Sequence, residues 1–314
     1  MNLFVSLRYL VALDDHRHFG RAALACHVTQ PALSNAIKAL EEHFGAAIVK
    51  RGRNFGGFTT EGDRILVSAR RMLHEHELLE QDLRSTAGDP NGHLLIGAVP
   101  TATPMAARFA AMLHDRHPGI RPSVRSMSSV ELETRLETLA LDMGLGYTER
   151  LDGSRSQLRV VPQFEERYFL LRKSAGAADR PLRIGPPMSW REAAGFPLCM
   201  MSAEMHNRTI VDRAFAAAGA QPRPAIETNS ILALALSVAA GRVCGIMPGA
   251  LVGAMQGQRD LEALPLVEPQ VAVPIAFMVH ASNDPSRTLE AALAFAQDPV
   301  WLAHAAQHCG LLAG

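Results

Sequence analysis

Residues 20–44 read GRAALACHVTQPALSNAIKALEEHF, and this stretch constrains the fold more than any other in the chain. Ala22, Ala23, Leu24, Val28, Leu33, Ile37 and Leu40 supply apolar positions at helical spacing, and Thr29, Gln30 and Pro31 interrupt the run. Two helices joined by a tight turn follow. Thr29 is suited to cap the second, because its hydroxyl can accept from a first-turn amide that has no intrahelical partner. Pro31 is harmless there, since the N–H it lacks would be unpaired in any case. Gln30, Ser34, Asn35 and Lys38 fall on the face away from Leu33, Ile37 and Leu40. Such a face can meet base edges and phosphates in a DNA major groove.

The flanks extend this unit. Leu3, Phe4, Leu7, Leu10 and Val11 predict an opening helix that HRHFG, residues 16–20, breaks. After Phe44-Gly45, the segments Ala47-Ile48-Val49 and Gly57-Phe58-Thr59 bracket the loop KRGRNFGG and predict a two-stranded wing. Lys50, Arg51 and Arg53 have no acid nearby and suit a phosphate or minor-groove contact, the alternative being a solvated hairpin tip. Residues 1–60 hold seven Lys or Arg against four Asp or Glu in a chain of zero net charge, so a basic head precedes an acidic remainder. From Thr60 to Ser85, Ile65, Ala69, Met72, His76, Leu79 and Leu83 alternate steps of four and three, with Leu66 and Leu73 widening the row. That is the seam of a two-helix coiled coil and predicts a dimer. The linker TAGDPNGH then marks a boundary.

These residues resemble the winged helix-turn-helix and linker helix of the LysR-type transcriptional regulators: LRYLVAL, RAALACHVTQPALSNAIKALEEHFGAAIVKR and TTEGDRIL occur in order and at the family's spacing. His18 and Gly20 stand where the family usually has Ser before Phe19 and Ser or Thr after it, and Asn35 where Arg is common. Gly20 is expected to cap the helix that follows. The resemblance implies DNA contact through Thr29, Gln30, Pro31, Ser34, Asn35, Lys38, Lys50, Arg51 and Arg53. It further implies a homodimer through the linker helix, a homotetramer that bends double-stranded promoter DNA, a small-molecule effector, and contact with RNA polymerase.

Beyond Gly92 strands and helices alternate. HLLIGAVP reads as a strand, TATPMAARFAAMLHDRHPG as a helix, and VELETRLETLALDMGLGY as a helix and a strand. Residues 163–173, 197–201, 243–247 and 274–280 read as strands, and 208–218, 231–240 and 286–296 as helices. By resemblance this is the family's effector domain, resting on GHLLIGAVPT, AAGRVCGIMP and element order. The expected fold is α/β overall: a winged helix-turn-helix over residues 1–59, a linker helix over 60–87, and a periplasmic-binding-protein-like effector domain over 88–314. Lobe I is expected over about 93–161 and 268–314, and lobe II over about 162–267.

In a two-lobed α/β cleft, ligands gather at strand C-termini and helix N-termini, where free amides favour an anion. Thr101, Thr103, Ser128, Ser129, Ser202, Asn229 and Ser230 occupy such corners, with His206, Asn207 and Arg208 near the one in lobe II. Each alone is commonly a helix cap; their combination points to a small carboxylate or similar anion.

Other chemistry finds few residues to rest on. Cys26, Cys199, Cys244 and Cys309 lack metal or CxxC spacing, so no redox role is expected. His114 and His117 have no third ligand, and neither metal nor cofactor is expected. No GxSxG, P-loop, HExxH or GxGxxG occurs, which speaks against an enzyme. No secretory signal is visible, and the longest apolar run, residues 231–240, is about half of the ~20 residues a membrane span needs, so a cytoplasmic protein without membrane contact is expected. The alternatives are a cytoplasmic solute-binding or sensor protein with non-regulatory DNA contact, a solute-binding protein that delivers a substrate to a transporter, and a nucleic-acid-processing enzyme. The transporter reading is disfavoured by the missing signal and the helix-turn-helix, and the enzyme by the lack of a carboxylate cluster near the basic head.

Overall fold

The apolar steps at the N-terminus fold into three helices, α1 (Leu3–His16), α2 (Phe19–Ala25) and α3 (Gln30–Phe44), followed by a long α4 (Thr60–Arg84). The structure is a computed structural model that describes residues 2–50, 52, 55–85, 89–151, 157–174, 180–281 and 285–309. Contacts divide the chain into two compact units, Met1–Arg84 with Thr138–Ala140, and Ser85–Glu137 with Leu141–Gly314.

In the first unit, Leu7, Leu10 and Leu13 of α1, Ala22 and Ala23 of α2, and Leu33, Ile37 and Leu40 of α3 form one buried cluster with Ile48 and Phe58. Thr29 caps α3 as its position predicts, accepting from the Ala32 amide at 3.4 Å, and Gly45 ends the helix at φ 64°, a left-handed conformation glycine adopts without strain. Gly20 is not the cap of α2 and lies inside that helix. His18 takes the capping place, its Nδ1 accepting from the amides of Gly20 and Arg21 at 3.1 and 3.3 Å. A Cβ on Gly20 would come within 3.2 Å of the His18 ring, so the bare residue at 20 leaves room for the imidazole.

Among the described residues of the wing, an antiparallel bridge joins Val49 to Phe58, with Lys50 N–H donating to the Gly57 carbonyl at 3.0 Å. In α4 the apolar row divides. Leu66 and Ala69 are buried against the first unit's core with Ile65 and Leu73 partly covered, and Arg70 pins α4 to α1 through Asp14 and Asp15 at 2.7 and 2.8 Å. Met72, Leu79 and Leu83 are exposed.

The second unit is a sheet with helices packed on it. Its elements are β1 (Gly92–Ala98), a 3-10 turn Pro100–Ala102, α5 (Thr103–Arg116), β2 (Ile120–Ser126), α6 (Ser129–Glu137), β3 (Met143–Tyr147) and β4 (Leu158–Lys173). Then come β5 (Arg183–Ile184), β6 (Met188–Ser189), α7 (Trp190–Ala193), β7 (Leu198–Met201), α8 (His206–Ala217), β8 (Ile226–Thr228) and α9 (Ile231–Ala239). Finally come β9 (Cys244–Pro248), α10 (Gly249–Ala254), β10 (Leu261–Val267), β11 (Ala272–His280), α11 (Arg287–Ala296) and α12 (Pro299–His308).

Among the described residues the strand path runs β2-β1-β3-β11-β4-β9-β7-β8, with β10 also on β4. β1 is parallel to β2 and β3, and β7 is parallel to β8 and β9. The long β4 joins the two groups. Its residues up to Arg167 pair with β11, and from Tyr168 onward it pairs with β9, so the crossing lies between Arg167 and Tyr168. Helix α6 sits close on β3, where a Cβ on Gly144 would meet Leu132 at 2.7 Å.

Two strands were hidden by proline. β2 contains Pro122 but forms the end of the strand path, where a missing N–H is tolerated. Pro265 in β10 falls between the residues that pair with β5 and those that pair with β6. β4 begins at Leu158, five residues before the expected Gln163, and α12 extends the chain beyond the last expected helix.

Candidate nucleic-acid interface and effector cleft

Gln30, Pro31, Ser34, Asn35 and Lys38 are exposed on α3, as are Thr29 ahead of it and Lys50 at the wing. Gln30, Ser34 and Lys38 line a groove of about 740 Å³ together with Lys50, Gly52 and Phe55. Thr29, Pro31 and Asn35 do not line it. Arg51 and Arg53 lie outside the described residues. The wing is tied to α3 by Glu41, whose carboxylate accepts from the amides of Ile48 and Val49 at 2.8 and 3.1 Å. Phe55 packs edge-on against Phe58 and Phe19, with ring centroids 5.1 and 6.0 Å apart. His18 and Phe19 also line the groove; the sequence marked them only as a helix break. Because His18 Nδ1 accepts two amides, its ring proton sits on Nε2 as an available donor.

The residues proposed for the effector divide between two places. Thr101, Ser128, Ser129, His206 and Asn207 surround a void of about 10 Å³ together with Tyr147, Met201 and Met205. This is where β1, β2, β3 and β7 end and where α6 and α8 begin. Thr103, Asn229 and Ser230 instead border an apolar pocket of about 640 Å³ walled by Leu232, Leu236, Met247 and Leu251. Thr103 is spent locally, on the Val99 carbonyl at 3.1 Å and Ser126 Oγ at 3.3 Å, and Ser230 caps α9. Ser202 and Arg208 line neither space. Arg208 is held by Asp212 at 2.8 Å, by Glu227 and by the Met201 carbonyl, so its charge is already met.

Around the small void lies a buried polar network that the sequence did not reveal. Thr101 Oγ1 is 2.8 Å from Tyr147 Oη, which donates to Glu166 Oε2 at 3.2 Å. Asn207 Nδ2 donates to Tyr147 and Tyr168 at 3.3 and 3.1 Å. His206 Nε2 lies 2.8 Å from Glu149, and its ring meets that of Tyr147 edge-on at 5.0 Å. Glu166 has no solvent exposure, and burial pushes its carboxyl up to about 8 against the opposing hydrogen bond from Tyr147. Its Oε1 has no partner among the described residues.

The four cysteines are free thiols, and Cys199, Cys244 and Cys309 are buried. Burial raises Cys199 and Cys244 above the usual thiol range. Leu198 pairs with Cys244 across parallel strands, so Cys199, one residue on, faces the other side of the sheet. His114 Nδ1 is 2.8 Å from the Ile120 carbonyl, a local bond, and no group of three metal-binding side chains occurs among the described residues. Among them, too, no helix is long and apolar enough to cross a membrane.

An exposed donor face on the second helix of a helix-turn-helix, in one chain with an α/β unit whose strand ends enclose a polar void, defines a DNA-binding regulator with an effector domain. Residues 4–63 match the bacterial regulatory helix-turn-helix proteins of the lysR family, and residues 87–300 match the LysR substrate binding domain. The chain belongs to the LysR-type transcriptional regulators.

A hydrogen peroxide-inducible genes activator of Escherichia coli O157:H7 is 29% identical over 286 residues, covering 90% of each chain. Full-length OxyR from Pseudomonas aeruginosa, in a variant form, superposes with a TM-score of 0.68 at 22% identity, covering 94% of this chain and 97% of that one. CbnR in complex with its target DNA gives 0.64 at 21% identity, covering 94% and 98%. At these identities the two structures establish a shared fold.

Proposed function

We propose that this regulator binds promoter DNA through α3 and the wing as a homotetramer of dimers joined along α4. A small carboxylate or other anion bound between lobe I, about 93–161 and 268–314, and lobe II, about 162–267, would shift the arrangement of dimers and their contact with RNA polymerase. Gln30 and Asn35 are suited to base edges, and Lys38 and Lys50 to phosphates.

The observation that carries the effector reading is the meeting of Thr101, Ser128, Ser129, His206 and Asn207 around one void at the starts of α6 and α8. Amides at helix starts favour negative charge. Glu166 does not oppose it, because below a pKa of about 8 the carboxyl is neutral. At about 10 Å³ the void holds no more than about one water, so an effector enters only when the lobes part. The larger pocket is lined chiefly by apolar side chains and offers fewer free donors.

The E. coli relative's name attaches it to peroxide. In this chain the raised thiols of Cys199 and Cys244, on opposite sides of the sheet, argue against a thiolate relay between them.

Isothermal titration of the full-length protein against a panel of small carboxylic acids tests the reading. An acid that binds wild type is expected to lose about tenfold or more in Thr101→Val or Ser128→Ala, from one buried hydrogen bond each. Unchanged affinity in both variants would remove these residues from the site.

A further inference from the structure

The crossing point of β4 carries a group that neither DNA contact nor effector capture requires. Glu166 pairs with Val273 in β11, just before the crossing, while Tyr168, two residues on and on the same face, pairs with Pro248 in β9, just after it. The network around Glu166 therefore spans both groups of strands. Thr101 and Tyr147 come from the β1–β3 side and Asn207 from α8 on the other. The hydroxyl of Tyr147 is the shared atom, with Thr101, Asn207 and Glu166 Oε2 all within hydrogen-bond distance.

Glu166 Oε1 is buried and has no partner among the described residues. A neutral acid tolerates that environment; a carboxylate, whose one donor among the described residues is Tyr147 on Oε2, is left with a buried Oε1 to solvate. The void beside Tyr147 and Asn207 has room for about one water, so bringing more solvent into this network requires α8 to move away from β3. We propose that Glu166 is a proton-held latch between the two groups of strands: the neutral acid keeps Tyr147 joined to Asn207, and release of the proton to solvent frees α8 to swing open.

The neighbouring groups leave Glu166 as the one that titrates in the mildly alkaline range. Burial raises Tyr147 and Tyr168 well above the usual phenol value. His206 is lowered, mainly by burial, against the pull of Glu149 and with Arg150 and Arg213 adding to the shift, so it is already neutral above pH 7. Glu149 acts on Tyr168, and neither Lys nor Arg is among the groups acting on Glu166. Glu165 and Arg167 alternate to the opposite face of β4.

Amide hydrogen exchange on the full-length protein at pH 7 and pH 9, expressed as protection factors, tests this without any effector. Its outcome is therefore independent of what the effector is. Protection in the first turns of α8 and in β3 is expected to fall about tenfold or more in wild type, a local opening rather than global unfolding. It should stay level in Glu166→Gln and be low at both pH values in Tyr147→Phe. Wild-type protection that is unchanged across this range, or a Glu166→Gln protein that loses as much as wild type, overturns the latch. A loss spread evenly through the sheet overturns it too.

Discussion

At the scale of single residues, Glu166 and His18 show how one side chain sets conditions for its surroundings. Glu166 has a folded-state value of about 8 against 4.5 for a free carboxyl, so the folded protein holds this proton through a range in which the unfolded chain has released it. Its contribution to stability is therefore greatest below pH 4.5 and is lost as pH rises to about 8. At roughly 1.4 kcal/mol per pH unit the decline amounts to several kcal/mol. Glu166→Gln mimics the neutral acid and should raise the melting temperature of the effector unit at pH 8.5 well above that of wild type, with little difference at pH 5. A melting temperature lower than wild type's at pH 8.5 would contradict this. Glu166 was invisible in the sequence, where QFEERYF offers two adjacent carboxylates and only the strand register buries one. His18 was equally silent. Its role as a cap depends on Gly20 leaving space for the ring, a relation of volumes rather than of residue types.

At the scale of elements, α3 was readable from the sequence because its cap, its apolar steps and its glycine stop agree with one another. β4 is legible only in part, and β2 and β10 are not, because proline marks a strand as broken until its neighbours are known. The effector residues were named by their positions at element ends. Which of them share a space depended on how the sheet is threaded, and that is why Thr103, Asn229 and Ser230 lie apart from Thr101 and Asn207. In α4 the spacing reads as a single apolar row, whereas the folded helix uses its first part on its own unit and leaves Met72, Leu79 and Leu83 exposed. Leu79 and Leu83 are 59% and 80% exposed, a stripe that a second copy of the helix would cover. Replacing both with Asp should lower the mass measured by analytical ultracentrifugation and weaken binding to a two-half-site operator more than to one half-site. An unchanged mass would show that α4 does not hold the dimer.

At the scale of the whole molecule, the chain is a LysR-type regulator in which one unit presents donors and cations and the other encloses a void at the ends of its strands. The central claim is that α3 reads sequence while the wing supplies affinity. Fluorescence anisotropy of the full-length protein on DNA from upstream of its own gene, against a scrambled duplex and over a range of salt, tests it most directly. The expected result is a preference for the upstream DNA at moderate salt. Gln30→Ala should erode that preference by roughly 5- to 150-fold, corresponding to ~1–3 kcal/mol for a bidentate base contact. Lys50→Ala should weaken both duplexes alike and reduce the salt slope by about 0.9, the share of one phosphate contact. Equal affinity of wild type for both duplexes, or a preference that survives Gln30→Ala intact, would contradict the account.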